Sequence, residues 1–344
     1  MIYPERIASV TELESLLSVP AEGLIEMMKR IDGDIMILGI AGKMGVTMGR
    51  QAVNAIRAAG VSKKVIGVSR FSKKEEREKL EGWGIETIAC DLLDQDAVKS
   101  LPQVKNIVFM AGRKFGTEGS EAQTWAMNIL APSYIGAHFR GSRIVAFSTG
   151  CVYPLVGIAT CGCTEDVTPE PVGEYSQSCL GRERIFQYCS QKYGTKVLLF
   201  RLNYAIDLRY GVLHDIARNI WEGRPVDNTV GYFNVIWQGD ANSNALRSLE
   251  LCDSPAAVLN VTGPETASVE KTALQLGALM GKEVVFKGVP GNLCYLNNSA
   301  QMCRRFGYPN VSLEQMIRWQ ADWIRNGGIS IGKPTHFEVN NGKF

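Results

Sequence analysis

Three observations in the sequence predict a doubly wound α/β fold: a parallel sheet with a smaller C-terminal lobe. Short apolar runs alternate with helical patterns from residue 34 to residue 200. Glycines spaced G-x-x-G-x-x-G follow the first apolar run and precede a helical pattern. Beyond residue 201 the alternation loosens, as expected of a lobe built onto the sheet. The predicted division is a helical extension over 1–33, a sheet domain over 34–200 and a lobe with tail over 201–344. A segment near 234–252 is expected to return to the sheet domain.

The elements follow in order. Residues 5–30 read as one or two helices with Leu16, Leu17, Leu24, Met27 and Met28 on apolar positions, packed outside the core. Asp34 to Leu38 is too short for a helix and suits a buried parallel strand. It runs into the turn Gly39-Ile40-Ala41-Gly42-Lys43-Met44-Gly45. Between a strand and a helix, that turn brings backbone close to a pyrophosphate and aims a helix N-terminus at its charge. A glycine-rich turn without a ligand has the same spacing. The second strand, Val65 to Val68, ends at Ser69-Arg70, where an acidic residue would suit a ribose hydroxyl and arginine suits a 2′-phosphate. NADP is therefore the preferred cofactor, with NAD possible and a solvated Arg70 the other reading. Further strands are expected at 85–89, 106–110, 143–147 and 197–200, then near 234–237 and 259–261. Helices are expected at 73–80, 121–138, 211–221, from 240, at 267–280 and at 312–325.

Composition narrows the function classes. The chain has 344 residues, 45% of them hydrophobic, with 37 basic against 35 acidic side chains. A formal charge of +2 gives no electrostatic footprint for nucleic acid or an anionic membrane. No apolar run approaches a membrane span, and the first residues lack the pattern of a leader, so a cytoplasmic location is expected. Nine cysteines, an odd count, point to reduced thiols. Cys161-Gly162-Cys163 lies between Cys151 and Cys179, but C-x-C is not a usual zinc spacing and no metal is expected.

One stretch carries the chemistry. Glu174 to Glu183 opens an amphipathic helix with Tyr175 in its first turn and Cys179 one turn on, facing the same way. Around it, in order, stand Gly39-x-x-Gly42-x-x-Gly45, Asp91-Leu92, Ala111-Gly112, Asn128 and Ser148-Thr149-Gly150-Cys151-Val152-Tyr153. Thr164-Glu165-Asp166, Tyr175 with Glu183, Asn260-Val261-Thr262-Gly263 and a terminal helix at Ser312-Leu313-Glu314 complete the set. This ordered set resembles the extended short-chain dehydrogenase/reductase family of NAD(P)-dependent epimerases and dehydratases, over residues 34–326. The resemblance implies a Rossmann-type sheet with a substrate-binding lobe. It implies that the glycines, with Lys43 and Met44, hold the dinucleotide, and that Asp91 meets the adenine. Thr149 would bond the reacting oxygen, Tyr175 would be its acid/base and Asn128 would support them. A homodimer through residues 121–138 and 175–193 is implied as well.

Three departures bear on function. The family pattern is Tyr-x-x-x-Lys, and here Cys179 stands at the lysine. The family lysine helps bring the tyrosine down from its ordinary pKa of about 10. A thiol supplies no cation; Lys43, Arg113, Lys114 and Arg182 are the candidates to replace it. Phe233 stands seven residues before Asp240, where nucleotide-sugar members carry an arginine for the diphosphate, so a smaller sugar-like substrate is expected. The loop Arg201-Leu202-Asn203-Tyr204 is one residue short, which leaves Asn203 an insecure substrate contact. Arg113, Lys114, Cys151 and His214 are the other substrate-binding candidates, although a structural role for His214 is favoured. The expected activity is an epimerase/dehydratase-like oxidoreduction of a sugar-like substrate. The alternative is a dinucleotide-binding sensor that has lost turnover.

Overall fold

The computed structural model describes residues 3–113 and 119–339. Seven parallel strands form one sheet: β1 (Ile35–Leu38), β2 (Val65–Ser69), β3 (Glu86–Ala89), β4 (Asn106–Phe109), β5 (Arg143–Thr149), β6 (Lys196–Leu202) and β7 (Ala257–Val261). Their order is β3-β2-β1-β4-β5-β6-β7, with the reversal between β1 and β4. In such a sheet the crevice at the reversal, outside the C-terminal strand ends, is where ligands bind. The predicted doubly wound fold is therefore observed. The short stretch expected near 259–261 is the seventh strand of this sheet, paired in parallel with β6.

Alternate residues of β1 serve opposite faces, because side chains alternate along a strand. Ile35 and Ile37 pack with Met48, Ile56, Val145 and Phe200, while Met36 and Leu38 pack with Ile107, Phe109, Ile144 and Phe186. Both faces are covered by helices, which is why the central strands are apolar throughout. Two early helices, α1 (Val10–Leu17) and α2 (Glu22–Arg30), are not an outer layer as expected. Leu24, Met27 and Met28 of α2 are fully buried beside α3 (Gly45–Ala59), and Leu13 and Leu17 of α1 complete the lobe's core.

On the other face lies α4 (Gly173–Tyr193), packed against the segment 121–138. That segment was expected as one helix; its middle, Ala126–Leu130, is wound as a π-helix. The lobe packs α5 (Val212–Trp221) and α7 (Val269–Met280) around α8 (Leu313–Arg325). Between them in sequence, α6 (Gln238–Arg247) returns to pack on α2 and α3, and Gln51 Nε2 donates to Gly239 O at 3.0 Å. No described helix is long and apolar enough to cross a membrane.

The join between α4 and the sheet is ionic and dry. Glu183 is 0% exposed and Arg201 of β6 is 3% exposed. Arg201 Nε and Nη2 donate to the two carboxylate oxygens at 2.9 and 2.7 Å. Ser148 donates to Glu183, and Arg201 Nη1 donates to Tyr153 OH at 2.6 Å, which in turn donates to Asn260 Oδ1 at 2.9 Å. Every charge is therefore met by a fixed partner. Removing one member strands the other in a dry site, which costs about 3–5 kcal/mol. Arg201→Met should lower the unfolding free energy from urea titration by that much and shift the midpoint down, whereas Lys64→Met, which removes an exposed pair with Glu86, should change it little. Equal midpoints for the two variants would contradict this role.

Candidate functional site

A cavity of about 380 Å³ opens at the C-terminal strand ends, between the sheet and the lobe. Its walls come from many places in the chain. The turn after β1 contributes Gly39, Gly42, Lys43 and Met44; Gly112 and Arg113 follow β4. Ser148, Thr149 and Cys151 follow β5, and Tyr175 and Arg182 project from α4. The loop after β6 and the C-terminal segment supply Asn203, Tyr204, Lys333 and Thr335.

The turn has the shape a pyrophosphate needs. Gly45 starts α3 so close to the preceding loop that a Cβ would lie 2.3 Å from Ile40 O. Only glycine permits that approach, so the turn stays tight and the helix N-terminus stays exposed to an anion. Lys43 Nζ lies 3.2 Å from the centroid of the Tyr210 ring. Arg113 reaches Gln123 Oε1 at 2.7 Å and Ser120 Oγ at 3.0 Å. With Arg182 and Lys333 these residues make the cavity wall cationic, and no carboxylate lines it among the described residues. Such a wall fits a dinucleotide's phosphates and a further anionic group.

Thr149 is buried at the end of β5, where its Oγ1 accepts from Cys151 N at 3.2 Å. Tyr175 is half-buried. Its pKa is held well above 10, first by desolvation and then by the nearby thiols of Cys179 and Cys151, with Arg182 pulling the other way. Cys179 shares a hydrogen bond with Tyr175, and burial likewise raises its own pKa. The helix face predicted from sequence is real. Cys179, however, turns inward to pack with Val152, Tyr153 and Cys163 and does not line the cavity.

Several expected cofactor and substrate residues lie elsewhere. Asn128 is fully buried and acts on its neighbours: Nδ2 donates to Ser178 Oγ at 2.8 Å, and Oδ1 accepts from Arg182 and from Arg113 N. Leu92 packs in the core and Ala111 backs Gly39, so neither lines the cavity. Asp91 Oδ1 caps its own loop, accepting from Leu93 N at 3.0 Å; Ser69 is half-buried and Arg70 exposed, at the rim beyond β2. His214 is removed from this cavity. Its Nδ1 meets Leu208 O at 2.8 Å and its Nε2 meets Ser330 Oγ at 2.9 Å, while burial lowers its pKa. These bonds tie α5 to residue 330, and His214 lines a separate cavity of about 420 Å³. Lys114 lies outside the described residues.

Asn203 does line the cavity, though its Nδ2 is spent on Asn234 Oδ1 at 2.7 Å and Tyr295 O at 3.2 Å. Among the described residues no group of three or more His, Cys, Asp or Glu side chains converges. Cys161 is exposed while Cys163 is buried, so the C-x-C pair splits.

Sequence reasoning left the tail undecided, and it missed the tail's contribution. Thr335 donates from both its N and its Oγ1 to Asp215 Oδ2, at 2.7 and 2.6 Å. Phe337 is buried against Phe233, with ring centroids 6.5 Å apart. The segment is thereby pinned across the lobe with Lys333 and Thr335 at the cavity.

Comparison with known proteins agrees with this geometry. The sequence model of the NAD dependent epimerase/dehydratase family matches residues 35–222. No curated protein sequence matches the chain significantly. Among solved structures, a variant of UDP-glucuronic acid 4-epimerase from Bacillus cereus, bound to a fluorinated UDP-glucuronic acid and NAD, is similar. It has a TM-score of 0.69 at 17% identity, over 85% of this chain and 99% of that one. The dTDP-glucose 4,6-dehydratase of Streptomyces venezuelae, with NAD and TYD bound, has a TM-score of 0.72 at 18% identity, over 86% and 97%. UDP-glucose 4-epimerase of Thermotoga maritima with UDP-glucose has 0.68 at 19% identity, over 85% and 98%. At these identities the likeness is one of fold.

The steric role of Gly45 can be tested directly. Gly45→Ala should weaken dinucleotide binding by roughly tenfold or more while the circular dichroism spectrum stays that of the wild type. Binding unchanged by the added methyl would contradict the cradle.

Proposed function

Because the chain belongs to the NAD dependent epimerase/dehydratase family, we propose that it is a dinucleotide-dependent oxidoreductase or epimerase of a small, anionic sugar-like molecule. The observation that carries this reading is the meeting of Tyr175 and Thr149 with the glycine turn in one cavity. The residues fit a nicotinamide dinucleotide: the turn after β1 would hold its pyrophosphate and Lys43 and Arg113 would face its charge. Bound there, the nicotinamide would accept or return a hydride at the substrate carbon.

Thr149 and Tyr175 would hold the reacting oxygen between them. Thr149 would fix its position, and Tyr175 would take its proton when an alcohol is oxidised and give it back on reduction. Ser148, tied to Glu183, keeps the end of β5 in place under Thr149. Transient oxidation of this kind acidifies a neighbouring C–H, which is how the same residues would serve epimerisation or dehydration.

The substrate class follows from the far wall. The neighbours named above act on or hold nucleotide sugars, but Phe233 here is buried and capped by Phe337. An apolar, covered side chain offers a diphosphate nothing, whereas Lys333 beside Asn203 and Thr335 suits one carboxylate or phosphate. A sugar acid or sugar phosphate fits this wall best. For the cofactor, Arg70 at the end of β2 favours the 2′-phosphate of NADP; the NAD found with the neighbours does not support that choice. Leu130 and Tyr188, large exposed side chains on the segment 121–138 and on α4, support a homodimer through these helices.

The test is turnover. Nicotinamide absorbance is followed over a panel of sugar acids, sugar phosphates, neutral sugars and polyols, with both dinucleotides. Acidic members should react, faster with NADP, and Tyr175→Phe should abolish the reaction with cofactor binding retained. The base form of Tyr175 is the phenolate, and its pKa is raised. The oxidative rate should therefore climb as pH rises through the alkaline range, whereas reduction, which needs the phenol, should not. Activity indifferent to Tyr175→Phe would refute the acid/base assignment, and tighter binding of NAD than of NADP would refute the role of Arg70.

A further inference from the structure

We propose that Arg182 is the positioning cation of this site, taking over from two turns beyond Tyr175 the charge that the Tyr-x-x-x-Lys pattern places one turn beyond it. The inference rests on the dinucleotide reading given above. On α4, Arg182 follows Tyr175 by seven residues and Cys179 by three, so the three share a face. A guanidinium is longer than the thiol it follows, and it reaches the cavity wall that Cys179 does not.

Its placement is built and not incidental. Arg182 is only 5% exposed. Nη1 donates to Phe147 O on β5 at 2.8 Å, and Nη2 donates to Asn128 Oδ1. Phe109, the last residue of β4, holds its ring 5.6 Å from the guanidinium carbon. Gly112 completes the seat: a Cβ there would lie 2.4 Å from Nη2, so only glycine leaves room. Thus the guanidinium bridges the ends of β4 and β5, at the mouth of the cavity.

All the partners named for it are neutral. Among the described residues no carboxylate lies within ion-pair distance of Arg182, and its buried Nε has no hydrogen-bond partner. The next residue, Glu183, shows the alternative, since its charge is cancelled by Arg201 at 2.7 Å. Burying an uncompensated charge is costly, and a fold retains one where a ligand or a reacting group supplies the opposite charge. Here the reacting group is the phenolate of Tyr175. Arg182 opposes the upward shift of both Tyr175 and Cys179. Of the other described candidates, Lys43 lies over the Tyr210 ring and Arg113 reaches Gln123 and Ser120, both on the side of the glycine turn and the loop after β4. Unlike lysine, arginine stays protonated, so it would act as a fixed charge and never as a proton carrier.

A fixed cation on this cavity wall would disfavour a bound oxidised ring, which is positively charged, relative to the reduced ring. Dissociation constants for the oxidised and reduced forms of NADP and NAD, measured on wild type, Arg182→Gln and Arg182→Lys, read this directly. Wild type should prefer the reduced form, and Arg182→Gln should shrink that preference by about tenfold. Arg182→Lys should restore most of it, with circular dichroism verifying the fold of each variant. Weakening of both forms by the same factor in Arg182→Gln would show a merely structural residue and overturn the inference while leaving the dinucleotide reading intact. Failure of wild type to bind either form would overturn that reading, and the inference with it.

Discussion

The buried ion pair between Glu183 and Arg201 is the constraint on which the site depends. It fixes α4 to β6, and through Ser148 and Tyr153 it fixes the end of β5 and the loop after it. Tyr175 and Arg182 are on the same helix, so this dry contact, with the bonds Arg182 makes to Phe147 O and Asn128, orients them toward the end of β5. Such a pair adds little net stability over apolar packing of the same volume; what it contributes here is register. Rotation of α4 would strand both charges, so the helix has one seat on the sheet.

Two charges therefore sit side by side in sequence with opposite fates. Glu183 faces the sheet and is neutralised within the protein. Arg182 faces the strand ends, where its hydrogen-bond partners are a carbonyl and an amide. Basic side chains line the cavity from the turn after β1 to the C-terminal strap, and no carboxylate lines it among the described residues. The thiol at the pattern's lysine position packs among Val152, Tyr153 and Cys163 and does not line the cavity.

Much of this was legible in the sequence. The central strands were visible because strands covered on both faces are apolar throughout, and the glycine turn because its spacing is dictated by sterics. Tyr175, Thr149 and the glycine turn were named from order alone and do meet in one cavity. What sequence could not show was set by packing between distant segments. Glu183 and Arg201 are joined only once α4 lies on β6. Arg182 was one of four candidate cations until Phe147, Asn128 and Gly112 fixed its seat. Asn128, expected beside the cofactor, lies in the π-helical segment Ala126–Leu130 and accepts from Arg182. The strap over residues 330–339 is short and polar, and its course follows from the anchors Asp215 and Phe233, far away in the chain.

The central claim is that the site is competent for redox chemistry with a cysteine at the lysine position. It is tested most directly by comparing wild type with Cys179→Lys for the initial rate of nicotinamide reduction on acidic sugars. The account predicts that wild type turns over and that the new lysine, crowded among Val152, Tyr153 and Cys163 and one turn from a cation already in place, brings no gain. An inert wild type that becomes active on receiving the lysine would contradict it, and would show a dinucleotide-binding protein whose chemistry was lost with that residue.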